Sequence, residues 1–312
     1  MVIRPIVVGV DGSEESMQAA EWAAMEAKRH SAPLRIVSAP AVMPRVHAHH
    51  AAAETVGVAL RGISARALET AVARSEEVAP YLRVTTELLS GPPALAVAGS
   101  GSDASMLVVG ARGTGGFAAM ILGSVSRYAA TRAPCPVVVV RQETMAVHRE
   151  IAVGIGDPQD ATETLAFAFE EAAVRGADLV VVHAWSWSAA ALSLPPAPSA
   201  TSEGARLQLA GPDQISAGAT RALTAALDQW RDKYPKVRGR PDVIRGHPGR
   251  VLASYSARAD LVVLGRHGSS PAPGSAGPGS AGPGSAGPGI GSTLHAVLDH
   301  AHGPVAIVPG RA

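Results

Sequence analysis

The sequence predicts an α/β protein made of two tandem open parallel sheets, each five-stranded and covered by helices on both faces. Short apolar runs rich in Val and Ile, which are typical of buried parallel strands, alternate with longer Ala-rich stretches, which favour helix. Strands that are separated by helices pair in parallel through right-handed crossovers. The order of the runs also repeats once along the chain, and 312 residues, 47% of them hydrophobic, suffice for two packed cores.

The internal repeat sets the domain organisation. Gly9 and Gly154 stand at equivalent places 145 residues apart, and two further landmarks follow in the same order. The matched segments are 6–11 with 151–156, 106–113 with 260–268, and 123–140 with 291–308. We therefore expect one domain over 1–143 and a second over 148–312, joined by a short polar stretch.

In the first copy, Ser13 is a candidate N-cap, with Glu14 and Glu15 placed where the dipole of the first helix favours negative charge. Pro134 is expected to end the last helix. The predicted strands are 6–10, 34–39, 82–89, 106–110 and 136–140. The predicted helices are 16–29, 56–79, 92–101 and 124–132.

The second copy predicts the same element order. Its strands are expected at 151–155, 179–183, 237–245, 261–264 and 304–308. Its helices are expected at 159–175, 214–233, 248–258 and 291–301.

Polar residues and glycines cluster after strands one and four of the first copy. Ligands bind open parallel sheets at the carboxyl ends of the strands, so this is the expected site. Gly110 and Gly113 permit positive φ angles and a close approach of a ligand to the backbone. Ser124, Val125 and Ser126 open the last helix, where unpaired amides bind phosphate, and the two hydroxyls add donors. Asp11 can accept hydrogen bonds from a ribose hydroxyl or an adenine amine.

The spacing Gly110-x2-Gly113-x9-Gly123-Ser124, the opening IVVGVDGS and the ending RAPCPVVVV resemble the universal stress protein family, in two tandem copies that cover nearly the whole chain. The resemblance implies the strand order 3-2-1-4-5 in each sheet, ATP binding, alone or with magnesium, and pairing through the fifth strands. That pairing would make either an intrachain pseudo-dimer or a homodimer. The resemblance assigns nucleotide binding to Asp11, Gly110, Gly113, Gly123 and Ser124. Arg112, Val125 and Ser126, which lie in the same two segments, are further candidates for this site. Weaker counterparts in the second domain are Gly265, Gly268, Gly291, Ser292 and Thr293.

The second copy departs from this pattern twice. Gly156 stands where the first copy has Asp11, and Asp157 comes one residue later. A shift of one residue at the end of a strand turns the side chain to the opposite face of the sheet, unless a β-bulge compensates. Twenty-two residues, instead of nine, separate Gly268 from Gly291. A Gly/Ser/Ala/Pro insertion at about 270–289 fills the difference, and its composition predicts disorder. We expect the second copy to bind ATP weakly or not at all.

Composition excludes several other classes. The net charge of +1 argues against nucleic acid as a partner, and no apolar run is long enough to span a membrane. The N-terminus lacks a signal-peptide layout, so a cytoplasmic protein is expected. Cys135, the single cysteine, is expected to be packed and inert. The loop histidines His47, His49 and His50 lack the ligand pattern of a metal site, and no metal is expected.

Two functions remain open. The first is an ATP-binding stress or regulatory protein, without a dedicated catalytic base and with at most slow ATP hydrolysis. The second is a scaffolding or protein-interaction pseudo-dimer that needs no nucleotide. Arg112 is a candidate for a phosphate contact or for a solvent-exposed side chain.

Overall fold

The computed structural model describes residues 3–41, 50–114, 122–141, 147–186, 212–266 and 291–310. The predicted insertion at about 270–289 lies outside these ranges, as do His47, His49 and Gly268.

Each half of the chain contributes five strands and four helices within the described ranges. The strands are β1 (Ile6–Gly9), β2 (Leu34–Ser38), β3 (Val84–Leu88), β4 (Met106–Gly110), β5 (Val137–Val140), β6 (Glu150–Gly154), β7 (Asp178–Trp185), β8 (Gly239–Arg245), β9 (Leu261–Gly265) and β10 (Val305–Val308). The helices are α1 (Glu14–Arg29), α2 (His50–Val78), α3 (Pro93–Gly99), α4 (Ser124–Arg132), α5 (Thr162–Arg175), α6 (Pro212–Arg231), α7 (Pro248–Tyr255) and α8 (Ser292–His300). Short 3-10 helices cover Ser100–Asp103 and Pro158–Asp160.

The ten strands form one continuous sheet in the order β3-β2-β1-β4-β5-β10-β9-β6-β7-β8. Pairing is parallel within each half. The halves join where β5 and β10 pair antiparallel, with Val138 opposite Ala306. The predicted α/β fold class is confirmed, and the fifth strands meet within one chain. We call this junction the seam.

Helices cover both faces of the sheet, which explains why inner strands such as β4, β5 and β9 are unbroken apolar runs. The edge strands β3 and β8 contain polar residues and are less buried. One apolar layer packs under α1, α2, α5 and α6, and the other packs under α3, α4, α7 and α8. Each layer runs across the seam, because residues of both halves belong to it; Ile6 and Ile151, for example, share the first layer. The two halves therefore share both of their cores.

The structure corrects two predicted helix starts. The helix predicted at 159–175 begins at Thr162, because Asp157 caps a separate 3-10 turn by accepting a hydrogen bond from the Gln159 amide at 2.9 Å. The helix predicted at 56–79 begins six residues earlier, at His50. Across the described ranges, no helix combines the length and the apolar character that crossing a membrane requires.

Candidate functional site

The carboxyl ends of β1 and β4 lie side by side, with Gly9 paired to Val109. Asp11 follows β1, and its carboxylate reaches the loop after β4. One carboxylate oxygen accepts hydrogen bonds from the Thr114 amide at 2.7 Å and the Thr114 hydroxyl at 3.2 Å. The other accepts from the Ser13 amide at 3.0 Å and the Ser13 hydroxyl at 2.6 Å. These four bonds match the roughly four acceptor positions of a carboxylate.

The electrostatics of Asp11 follow from these contacts. Partial burial raises the pKa of its carboxyl group, but the hydrogen bonds from Ser13 and Thr114 outweigh burial and hold the pKa below its ordinary value. Asp11 is therefore anionic at neutral pH and joins the two loops as a charged acceptor.

Gly110 and Gly113 are required for close packing within the protein. Neither has a positive φ angle, so that part of the sequence interpretation is wrong. A Cβ atom on Gly110 would lie 2.8 Å from the backbone carbonyl of Glu15 in α1, and a Cβ on Gly113 would overlap the Asp11 carboxylate. Gly110 thus allows the end of β4 to lie close to α1, and Gly113 allows the following loop to lie close to Asp11.

The start of α4 supplies the hydrogen-bond donors of the site. Gly123 is its N-cap, without a side-chain cap, and its amide donates to the Ala111 carbonyl at 2.8 Å. The buried Ser126 hydroxyl donates to the Gly110 carbonyl at 2.6 Å, while the Ser124 side chain is exposed and Val125 is partly buried. In the part of the chain that the structure describes, the amides of 124–126 have no backbone or side-chain acceptor. Such amides bind anions well.

Arg112 lies beside this edge, and its guanidinium is 3.4 Å from the Glu15 carboxylate. Its side chain remains 45% exposed. From the sequence, Arg112 could either contact a phosphate or be exposed to solvent. In the structure it is partly exposed and forms this ion pair with the first turn of α1.

The corresponding edge of the second half encloses a cavity of about 420 Å³. Gly265, Gly291, Ser292 and Thr293 line it together. Thr164 and Arg266 also line it, and its apolar wall includes Ile155, Leu252 and Leu264.

Asp157 and Asp160 line this cavity, but Gly156, which stands at the sequence position equivalent to Asp11, carries no carboxylate. Gly156 lines the cavity, and a Cβ added there would meet no atom within 4 Å. β6 pairs regularly with both neighbours as far as Gly154, so no bulge within β6 moves Asp157 into register. The Asp157 carboxylate instead accepts from the Gln159 amide. The position of Asp11 is therefore open space in the second half.

Four residues of the candidate sites were not predicted from the sequence: Thr114, Ser13 and Glu15 in the first half and Thr164 in the second. Thr114 directly follows Gly113 and could have been proposed from its place in the motif. Its contact with Asp11 spans 103 residues, however, and only the pairing of β1 with β4 brings the two together.

Comparisons with known proteins agree with this arrangement. The model of the "Universal stress protein family" matches residues 3–141 and again 148–309. A universal stress protein of Mycobacterium tuberculosis is 33% identical over 312 residues, covering 97% of this chain and 96% of the relative. One of Mycolicibacterium smegmatis is 33% identical over 316 residues, covering 98% of this chain and 97% of the relative.

A solved structure shares the fold of the whole chain. The crystal structure of a universal stress protein from Archaeoglobus fulgidus aligns with a TM-score of 0.64 at 14% identity, covering 98% of this chain and 96% of that chain. Two matched repeats and full-length relatives above 30% identity lead to one conclusion: the chain belongs to the universal stress protein family.

Proposed function

We propose that the chain binds ATP, mainly through its N-terminal domain (1–143), and acts as a nucleotide-dependent stress or regulatory protein. The observation that carries this proposal is the start of α4, where the amides of 124–126 have no acceptor among the described residues and lie near the loop that Asp11 contacts. Membership of the family supports it.

The donor set at this edge suits a triphosphate. Backbone amides at a helix start and the exposed Ser124 hydroxyl are hydrogen-bond donors, which phosphate oxygens accept. Arg112 would exchange the Glu15 carboxylate for a phosphate oxygen. These are ligands for ATP itself, and magnesium, where it accompanies ATP, would be held chiefly by the phosphates.

Asp11 is proposed to contact the nucleoside. Its carboxylate accepts hydrogen bonds and repels phosphate, so it suits ribose hydroxyls or the adenine amine. Because Ser13 and Thr114 occupy its acceptor positions, a nucleoside would have to replace at least one Thr114 hydrogen bond. Nucleotide binding would then change the loop after β4, which is a means of signalling occupancy.

The second domain (148–312) is proposed to bind ATP weakly. Its cavity offers Gly291, Ser292 and Thr293 at the start of α8 but no carboxylate at Gly156. Any ATP hydrolysis in either half is expected to be slow.

A scaffolding role without nucleotide is the second candidate. The observation that favours it is the seam, which joins the two halves into one continuous ten-stranded sheet.

Titration calorimetry of the full chain with ATP tests the proposal. Gly123→Val places a side chain over the amides of α4, and a Cβ at this position would have only ordinary contacts, 3.5 Å or longer. Gly291→Val is the matched control at the start of α8. We expect Gly123→Val to abolish most ATP binding and Gly291→Val to leave it nearly unchanged. A folded wild-type chain that binds no ATP would favour the scaffolding role.

A further inference from the structure

Two helices from different halves bring buried charges together beside the seam. Glu26 and His30 lie at the end of α1, and Glu171 and Arg175 lie at the end of α5. The side chains of Glu26, Glu171 and Arg175 are 0%, 2% and 5% exposed, and that of His30 is 19% exposed. Charges buried this deeply are costly unless they compensate one another.

The two cations divide the carboxylate oxygens between them. His30 Nε2 lies 3.2 Å from Glu26 Oε1 and 3.1 Å from Glu171 Oε1. Arg175 Nη2 lies 2.8 Å from Glu26 Oε2 and 3.2 Å from Glu171 Oε2. Each of these two cations therefore contacts a carboxylate from both halves of the chain. A third cation, Arg29, lies 3.0 Å from Glu26 Oε2 but is 37% exposed and reaches only Glu26 in this group. Because the two arginines keep their charge, His30 is the cation of this group that titrates.

The internal repeat explains why these four residues meet. Adding the repeat offset of 145 to Glu26 gives Glu171, and adding it to His30 gives Arg175. The pair Glu26 and His30 at the end of α1 thus meets the equivalent pair, Glu171 and Arg175, at the end of α5 in the other half. The repeat places a permanent cation in one copy and a titratable one in the other.

We propose that Glu26, His30, Glu171 and Arg175 form a proton-dependent clasp that holds the two halves of the chain together and loosens as the pH rises. The clasp is independent of the proposed nucleotide site, which lies at the carboxyl ends of the strands.

The direction of the pH effect follows from the charges around His30. The carboxylates of Glu171 and Glu26, which lie within 3.2 Å of His30 Nε2, raise the pKa of His30 to about 10, against the opposing effect of its burial. Arg175 faces both carboxylates, and Arg29 faces Glu26. Burial raises the pKa of Glu26, but His30, Arg175 and Arg29 lower it further, to about 2. Burial and the neighbouring Glu26 raise the pKa of Glu171, against the effects of His30 and Arg175.

Since the folded-state pKa of His30 is raised from 6.5 to about 10, the contribution of His30 to stability is fully present below about pH 6.5 and is lost as the pH rises through about 10. Within this window, the equilibrium constant for unfolding should rise by roughly tenfold per pH unit from this residue alone.

Urea unfolding of the full chain at pH 7 and pH 9 tests the clasp. His30→Arg replaces the titratable cation by a permanent one. This variant should therefore lack the part of the pH dependence of unfolding that His30 causes. His295→Gln is the control, because His295 also faces a carboxylate, that of Asp299 at 3.4 Å, but is 55% exposed. It should keep the wild-type pH dependence. Equal pH dependence in wild type and His30→Arg would overturn the proposal.

Histidine NMR of the wild-type chain provides a test that does not depend on folding of the Arg variant. The His30 imidazole, identified by its absence in His30→Gln, should remain protonated from pH 6 to pH 8.5. Titration near pH 6.5 would contradict the clasp.

A third experiment distinguishes protonation of His30 from binding of a metal ion by the same residues. One ligand atom from each of Glu26, His30 and Glu171 lies within 4.8 Å of the others, which a divalent cation could also bridge. Under the proposal, neither EDTA nor one equivalent of Zn²⁺ changes the unfolding midpoint. Stabilisation by Zn²⁺ that Glu171→Gln abolishes would overturn the clasp in favour of a metal site.

Discussion

At Asp11, one carboxylate connects the first turn of α1 with the loop after β4. Its bond to the Thr114 amide, at 2.7 Å, makes the conformation of that loop depend on a single charge. Gly113 is part of the same contact, because any side chain there would displace the carboxylate.

We predict that Asp11→Asn destabilises the folded chain by about 1–3 kcal/mol, because an amide cannot replace a carboxylate that accepts four hydrogen bonds. The loss should depend on pH in a defined direction. Since the folded-state pKa of Asp11 is lowered, its contribution is present above the ordinary value of 3.8 and disappears as the pH falls through the lower folded value. Urea unfolding from pH 6 down to pH 3 should therefore show the two proteins converging in acid. A difference that stays constant over this range would contradict the role of the charge.

The proposed role of Asp11 in nucleotide selection gives a second prediction. Asp11→Ala should weaken ATP binding by about 1–3 kcal/mol, the loss expected for a hydrogen bond to a charged group. It should barely change binding of inorganic tripolyphosphate, which lacks the nucleoside. Calorimetry with both ligands measures the difference, and equal weakening of both would show that Asp11 acts on the loop rather than on the nucleoside.

At the scale of single elements, the two halves differ at the end of the first strand in each. β1 continues to a carboxylate at Asp11, whereas β6 continues to Gly156, beside a cavity and with space for a side chain. The second half therefore has room for a side chain at the position equivalent to Asp11, but Gly156 does not supply one.

We predict that Gly156→Asp strengthens ATP binding to the second half, with Gly156→Ala as the control for the added Cβ. The gain should be modest, at most about 1–3 kcal/mol for one new hydrogen bond of a carboxylate. Calorimetry is best done in a Gly123→Val background, where the first site is blocked. Equal affinities of the Asp and Ala variants would mean that Gly156 is not the counterpart of Asp11.

The fold could be predicted where the pattern is local. Val137–Val140 and Leu261–Gly265 are unbroken apolar runs, and both form buried strands. The start of α5 could not be predicted as well, because the Asp157 side chain caps a 3-10 turn that looks like a helix start in sequence. Contacts across long separations, such as Asp11 with Thr114, depend on strand order and so need the structure.

Across the whole molecule, the seam is held by side chains as well as by strands. Arg266 follows β9 and donates to the Ala133 carbonyl, at the end of α4, at 2.6 Å. Arg141 follows β5 and donates to the Leu298 carbonyl in α8. Each half thus places an arginine on the last helix of the other half, where a positive charge is favourable.

We predict that Arg266→Ala destabilises the chain by about 1–3 kcal/mol, because it leaves the Ala133 carbonyl at the seam without this donor. Arg231→Ala is the control, since Arg231 is 66% exposed and pairs with Asp228 within α6. Its effect should be below about 0.5 kcal/mol. Urea unfolding measures both, and equal effects would mean that the seam contact contributes nothing specific.

The clasp was missed in sequence although a signal exists. Glu26 lies among Ala19, Ala23 and Ala27, on the buried face of α1, where a charge is out of place. The repeat offset relates it to Glu171, which lies on the buried face of α5 in the same way. A charge on an apolar face of both copies could have indicated a contact between them.

Native mass spectrometry of the full chain titrated with ATP tests the central claim most directly. Our account predicts one tightly bound ATP per wild-type chain, lost in Gly123→Val and kept in Gly291→Val. Two equally tight ATP molecules per chain, or one that Gly291→Val removes, would contradict the assignment of ATP binding to the N-terminal half.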